Sequence, residues 1–262
     1  MELLTERSGR VAVARKLTRR AGRDAAGAFL AEGRQAVSEA LGTAPDAVRE
    51  VFATEAAAAA HRDLLAGTAV PVRLVTEKAA AGLSETVTPQ GLVAVCDLPD
   101  ASTDRLTAEP PRLVVALAGI NDPGNAGTVL RTADACGAGA VVFGAGSVDP
   151  FGGKVVRSGA GSHFHLDVVR SAPLADLLPA LRAAGAAVLV ADGGGEATLP
   201  EVADRLRGPV VWLFGNEARG VPADLAELAD VRVRIPMRGR AESLNLAAAA
   251  AICLYATQAA QG

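Results

Sequence analysis

The chain has 262 residues, half of them hydrophobic, with 26 basic against 29 acidic side chains and a formal charge of −3. That length and apolar content suffice for two cores, and the slight negative charge, taken alone, argues against a nucleic-acid partner, so polyanion contact would have to come from a local patch. Cys96, Cys136 and Cys253 are odd in number, scattered and set in apolar surroundings, which excludes a disulfide framework or a zinc site in favour of reduced core thiols.

The first ten residues, MELLTERSGR, hold no apolar signal region, so the protein is expected to stay in the cytoplasm. Residues 1–24 then set Arg7, Arg10, Arg15, Lys16, Arg19, Arg20 and Arg23 against Glu2, Glu6 and Asp24. The resulting surplus suits phosphate contact, with Arg15, Lys16, Arg19 and Arg20 the candidates; a solvated, partly disordered arm is the alternative.

A strand is predicted at AFLAEG (28–33), a helix at RQAVSEALG (34–42), a strand at VREVFAT (48–54) and a helix at AAAAAHRDLLAG (56–67). A strand at PVRLVT (71–76), a helix at EKAAAGLS (77–84) and a strand at GLVAVCDL (91–98) complete a small α/β domain over residues 1–98. The polar, Pro-bearing stretch 99–111 reads as a linker to a second domain at 112–262.

In that second domain, β-branched runs at 112–119, 140–144, 186–193, 210–215 and 231–237 alternate with loops and helices, the pattern of a parallel α/β sheet. One helix is amphipathic through Leu174, Leu177, Leu178 and Leu181. A Gly-rich loop at 147–164 holds Lys154 and Arg157 as further candidates for phosphate contact. His163 and His165 stand i and i+2 on an expected strand, but without a Cys or carboxylate partner at suitable spacing they read as core or loop residues, and no metal is expected. The apolar run 244–256 is too short to span a membrane and reads as a buried helix.

Three of the apolar runs end in polar motifs: NDPGNAGTVLRTADACGA (121–138), FGNEARGV (214–221) and IPMRGRAESLNL (235–246). Ligands of an open parallel sheet gather at the carboxyl ends of its strands, so the three turns should converge on one crevice. The first, which starts NDPGNAG, lacks the G-x-G-x-x-G pattern, which makes a dinucleotide-dependent oxidoreductase a poor alternative.

The motifs resemble those of the SpoU, or TrmH-like, RNA 2′-O-methyltransferases of the SPOUT superfamily. The resemblance rests on Asn125, Gly127 and Arg131, on Gly215, Asn216, Glu217 and Gly220, and on Ile235, Pro236, Met237, Glu242, Ser243, Leu244 and Asn245. Leu246 and Ala247 stand where many relatives have Val and Ser, and Ala218 where Gly is common. The phrases FLAEGRQAVSEAL and TVTPQGLVAV resemble the substrate-binding domain attached to many such enzymes.

The resemblance implies a C-terminal parallel-sheet α/β domain with a deep trefoil knot over roughly 211–258, preceded by a small α/β RNA-binding domain. It implies S-adenosyl-L-methionine as cofactor, a ribose 2′-hydroxyl as acceptor, ribosomal RNA ahead of transfer RNA as partner, and a homodimer joined through the knotted domain. An RNA-binding relative without catalysis stays open. Asn125, Arg131, Glu217, Ser243 and Asn245 are the implied catalytic set, and Gly215, Ile235 and Leu244 the implied cofactor contacts. Arg131 acts either as base or as a phosphate clamp, the second favoured by the very high pKa of a guanidinium. Glu217 can serve the site or pair with Arg219, Arg238 or Arg240 and hold the loops together.

Overall fold

The computed structural model describes residues 3–262; Met1 and Glu2, the first two of the MELLTERSGR stretch, lie outside the described residues. The chain divides into two units, one made of residues 1–99 with 151–165, the other of residues 100–150 with 166–262.

The first unit opens with α1 (Gly9–Arg15), a 3₁₀ turn (Lys16–Thr18) and α2 (Arg20–Ala26), followed by β1 (Ala28–Glu32) and α3 (Arg34–Thr43). Val11, Ala14 and Leu17 are buried with Leu30, Phe52 and Val93 in one core. The amino-terminal segment is therefore folded rather than a solvated arm: three apolar residues spaced three apart give its inner face something to bury. Next come β2 (Val48–Ala53), α4 (Glu55–Ala60), α5 (Arg62–Ala66), β3 (Val72–Leu74), α6 (Glu77–Ala81) and β4 (Leu92–Asp97). The single helix expected over 56–67 is broken at His61, whose φ of −118° leaves the helical region. The sheet runs β1-β4-β2-β3, with only the β2–β3 pair parallel.

The second unit begins where a linker was expected. Ser102 accepts a hydrogen bond from the Arg105 amide and caps α7 (Thr103–Ala108), and Leu106 is buried among Val114, Leu177 and Leu178. One apolar residue on the inner face was enough to fold a stretch whose composition is that of a loop. The unit continues through β5 (Leu113–Leu117), α8 (Pro123–Ala135) and β6 (Ala140–Gly144).

The chain then returns to the first unit over residues 151–165, which hold α9 (Gly153–Gly159). There Phe151 and Phe164 lie 5.0 and 5.9 Å from the ring of Phe29. His163 is buried and sits in a 3₁₀ turn over Ser162–Phe164, and His165 follows that turn. The two histidines are not strand neighbours as expected, because the strand starts only at Asp167.

The remaining elements are β7 (Asp167–Ala172), α10 (Leu174–Ala183), β8 (Ala187–Ala191), β9 (Ala197–Thr198), β10 (Val210–Phe214), α11 (Ala223–Ala226), β11 (Val231–Arg234) and α12 (Leu246–Gln261). The seven strands form one sheet in the order β7-β6-β5-β10-β8-β11-β9, parallel throughout. Alternate side chains serve its two faces. Val211 and Leu213 join the core with Leu174 and Leu178, whereas the fully buried Trp212 between them donates its indole N–H to Thr257 of α12 at 2.8 Å. An indole buried this completely is worth roughly 3–5 kcal/mol over alanine, so β10 and α12 are held in register by one side chain. β11 is less buried than expected, with Val233 its one buried residue. Among the described residues no helix is long and apolar enough to cross a membrane.

Burial pushes the thiols of Cys96 and Cys253 up to about 12, with the charge of Asp97 adding to the effect at Cys96, and raises that of Cys136 from 9.0. Because the raised groups hold their protons in the fold, the stability they contribute is complete below pH 9.0 and is lost as pH climbs toward about 12. At pH 8 a thiol-specific reagent should label only Cys136 rapidly in the folded protein, and all three cysteines once denaturant is added; mass spectrometry of the labelled peptides checks this.

Candidate active site

Strands β5, β10, β8 and β11 are neighbours in that order and run the same way, so the turns that leave them open on one edge of the sheet. After β5, Gly119 takes a φ of +67°, and its N–H and that of Ile120 are accepted by Ser147 Oγ at 3.1 and 3.3 Å. The carbonyl of Gly119 accepts from Asn216 Nδ2 at 3.0 Å, which ties the turn after β5 to the turn after β10. Asp122 then caps α8 by accepting the Asn125 N–H at 2.7 Å, with Pro123 at the first helical position. This is the arrangement that a helix start favours.

One residue of that first turn joins all three motifs. Asn125 donates from Nδ2 to Glu217 Oε1 at 2.7 Å, and its Oδ1 accepts from Asn245 Nδ2 at 3.1 Å. Asn245 in turn accepts the Ala247 and Ala248 N–H groups at 2.9 and 3.3 Å, capping α12. Asn245 therefore precedes the helix, which starts at Leu246 rather than at 244, and Ser243 lies two residues further out in the loop. Glu217 has Asn125 as its partner and forms no ion pair with Arg219, Arg238 or Arg240 among the described residues.

Between these turns lies a cavity of about 300 Å³ whose wall includes Gly215, Glu217, Ile235, Ser243 and Leu244. Asn125 and Asn245 are not part of that wall but are linked by hydrogen bonds to Glu217, which is; the Arg131 side chain is exposed on α8 and makes no hydrogen bond or ion pair among the described residues. A Cβ on Gly215 would lie 2.1 Å from the Gly220 carbonyl carbon, so only glycine lets the turn after β10 fold back on itself here. Asn216 and Gly220 close it with paired main-chain hydrogen bonds of 3.0 and 2.8 Å.

Residues 235–244, by contrast, form no backbone–backbone hydrogen bond among the described residues. Their N–H and C=O groups are open to a ligand that presents complementary donors and acceptors, and exposed peptide groups of this kind need such partners or water. Open main chain, apolar walls at Phe214, Val233 and Leu246, and carboxylates at Asp192 and Glu217 together fit a ligand with a flat base, a sugar and a cationic tail. Asp192 and Gly193 were not foreseen as part of the site. The signal was present, since β8 ends in Asp-Gly-Gly-Gly much as the other strands end in glycine-bearing turns.

In the first unit Arg15, Lys16, Arg19 and Arg20 are all exposed, and Arg15, Lys16 and Arg19 border a wide concavity with Gly22 and Ser84. Arg20 lies 3.8 Å from Asp24 across one helical turn. Lys154 is exposed, but Arg157 is committed to the fold: its Nη1 lies 2.9 Å from Glu32 Oε2, a carboxylate that is itself buried and also accepts from Ser84 at 2.5 Å. A buried carboxylate without its cation would cost several kcal/mol, so Arg157 is a structural partner of Glu32 rather than an open phosphate contact. Among the described residues no group of three or more His, Cys, Asp or Glu is placed to hold a metal ion.

Sheet and cavity define an α/β protein with a nucleoside-sized site at the carboxyl edge of a parallel sheet. The profile of the SpoU rRNA Methylase family matches residues 112–255, and that of the MRM3-like substrate binding domain matches residues 9–94. The chain belongs to the SpoU rRNA methylase family. It is 38% identical over 230 residues to the 23S rRNA (guanosine(2553)-2′-O)-methyltransferase RlmP of Bacillus subtilis, covering 87% of each chain.

Among the solved structures that match it nearly end to end are two with AdoMet. The AdoMet-bound rRNA methyltransferase from Sinorhizobium meliloti superposes with a TM-score of 0.83 at 30% identity, over 98% of this chain and 97% of that one. The SpoU methyltransferase AviRb from Streptomyces viridochromogenes, in complex with the cofactor AdoMet, gives 0.82 at 30% identity, over 96% and 98%.

Proposed function

We propose that the protein transfers a methyl group from S-adenosyl-L-methionine to a ribose 2′-hydroxyl of RNA, with large-subunit ribosomal RNA as the substrate. The observation that carries this reading is the Asn125-centred join of three motif turns beside a nucleoside-sized cavity, in a chain matched over most of its length to enzymes of that reaction. When bound, the cofactor would supply an electrophilic methyl group on a sulfonium to the sugar oxygen, leaving neutral S-adenosylhomocysteine, with the hydroxyl proton passing to solvent water.

The protein's part is alignment. Holding both reactants in line removes roughly 7–11 kcal/mol of barrier, more than a weak base supplies. Gly215, Ile235 and Leu244 present main-chain groups to the adenosine, which leaves their side chains free to vary. Glu217 spends Oε1 on Asn125; its other oxygen and the Ser243 hydroxyl face the cationic tail and the acceptor hydroxyl. Arg131, exposed and unpartnered, binds the phosphate beside the target ribose through a planar, always charged fork that polarises the hydroxyl without having to accept its proton. The exposed Arg15, Lys16, Arg19 and Arg20 give the RNA a second, sequence-independent hold, and Lys154 is a further contact of that kind.

The same proposal includes a homodimer. Ala248, Ile252, Tyr255 and Ala259 are exposed on α12 at spacings of four, three and four, which makes one apolar stripe along its outer face. It also includes the trefoil knot: β10 and β11, late in the chain, are inserted between strands formed from earlier sequence, an order that suits threading of the last segment, and an experimental electron-density trace through 211–258 decides it.

Arg131→Ala should abolish methyl transfer from labelled S-adenosylmethionine to total RNA while leaving cofactor affinity within about twofold; equal loss of both refutes the role given to Arg131, and label appearing in transfer RNA instead of ribosomal RNA refutes the substrate. Replacing Arg15, Lys16, Arg19 and Arg20 together by Gln should weaken RNA binding and flatten its salt dependence, by roughly one unit of log–log slope per lost phosphate contact. Sedimentation should show a dimer for the natural protein and a monomer for Ile252→Glu with Tyr255→Glu.

A further inference from the structure

Asp192 occupies a position that none of the three motifs covers. Strand β8 lies between β10 and β11, with Leu213 level with Val190 and Val233 level with Ala191. Asp192, Gly215 and Ile235 are therefore the first residues beyond three adjacent parallel strands, and all three stand in the cavity wall.

The Asp192 carboxylate is oriented but not consumed. Its Oδ1 accepts the Gly194 N–H at 2.8 Å, which fixes the side chain over the turn. Its Oδ2 lies 3.7 Å from Arg232 Nη1, beyond hydrogen-bond distance. Arg232 is instead held by Glu196, which accepts its main-chain N–H at 3.0 Å and its Nε at 3.2 Å. Both Asp192 oxygens therefore keep lone pairs for donors in the cavity.

We propose that Asp192 reads the ribose diol of the bound cofactor, an inference that rests on the cofactor reading above. A vicinal diol offers two O–H donors side by side, and a carboxylate offers two acceptors at matching spacing; an acidic residue near the carboxyl end of a parallel strand serves this purpose in dinucleotide-binding sheets. The cavity's other carboxylate, Glu217, is bound to Asn125 and through it to Asn245, which puts it at the end where the methyl group is transferred. Asp192, in rank with Gly215 and Ile235, serves the adenosine end.

Calorimetric titration of the protein tests this with S-adenosylhomocysteine, with 5′-methylthioadenosine, which lacks the amino-acid tail, and with the 2′-deoxy and 3′-deoxy forms of the latter. Asp192→Asn, which retains the oxygen that accepts from Gly194, should weaken S-adenosylhomocysteine and 5′-methylthioadenosine by the same factor, roughly tenfold for one charged acceptor lost. The unaltered protein should lose a similar factor when either hydroxyl is removed, and the variant should not; this arm reads the unaltered protein even if the variant folds poorly. Unchanged affinity in the variant, indifference of the unaltered protein to both hydroxyls, or a loss confined to S-adenosylhomocysteine would each overturn the assignment, the last by moving Asp192 to the amino-acid end. Failure of the unaltered protein to bind either nucleoside would sink the cofactor reading itself.

Discussion

The side-chain amide of Asn125 holds the site together, because its two ends are answered by two different motifs, 92 and 120 residues away in sequence. Its orientation is not free. Turned over, the Asn125 carbonyl would face the Glu217 carboxylate and its NH₂ would face that of Asn245, two repulsions in place of two hydrogen bonds. Asn245 is fixed in the same sense, since its oxygen is required by the first N–H groups of α12. The polarity of a helix end thus propagates through two amides to a carboxylate in the cavity wall. Each bond contributes only about 1 kcal/mol, more where the carboxylate accepts, and the larger consequence is geometric: Glu217 is delivered at one angle.

What anchors that helix end lies at the other side of the same element. Trp212 fills the space between β10 and α12 and finds its hydrogen-bond partner in Thr257, whose hydroxyl also donates to the Cys253 carbonyl at 2.9 Å. A core contact therefore sets where the amino end of α12 can sit, while Gly215, three residues beyond Trp212, sets how tightly the neighbouring turn closes. Packing and polar network are two parts of one construction.

Much of this was legible in the sequence because the motifs are local. The strands ending at Leu117, Phe214 and Arg234 and the turns beyond them follow from β-branched runs and glycine, and Gly215, Ile235 and Leu244 lie in the cavity wall. What escaped depends on partners distant in the chain. The role of Arg157 is decided by Glu32, 125 residues earlier. Segment 103–108 is as polar as a loop, and the Ser102 cap together with the burial of Leu106 accounts for its helix. The His163–His165 spacing suggested a strand, but the aromatic neighbours Phe29 and Phe151 show that His163 belongs to a packed turn. Asp192 opens a glycine-rich turn that belongs to none of the three motifs, and the strand order is what places it between Gly215 and Ile235.

The excursion of residues 151–165 has a consequence for how the chain can be divided. Because that segment is built into the first unit, the polypeptide passes between the two units three times. A truncated chain beginning at residue 100 would carry Phe151, Val155 and Val156 stripped of the β1 surface that buries them, and residues 1–99 alone would leave Phe29 uncovered and Glu32 without its arginine. Neither half is a self-sufficient cassette, because either cut leaves groups of the first unit without the residues that pack on them.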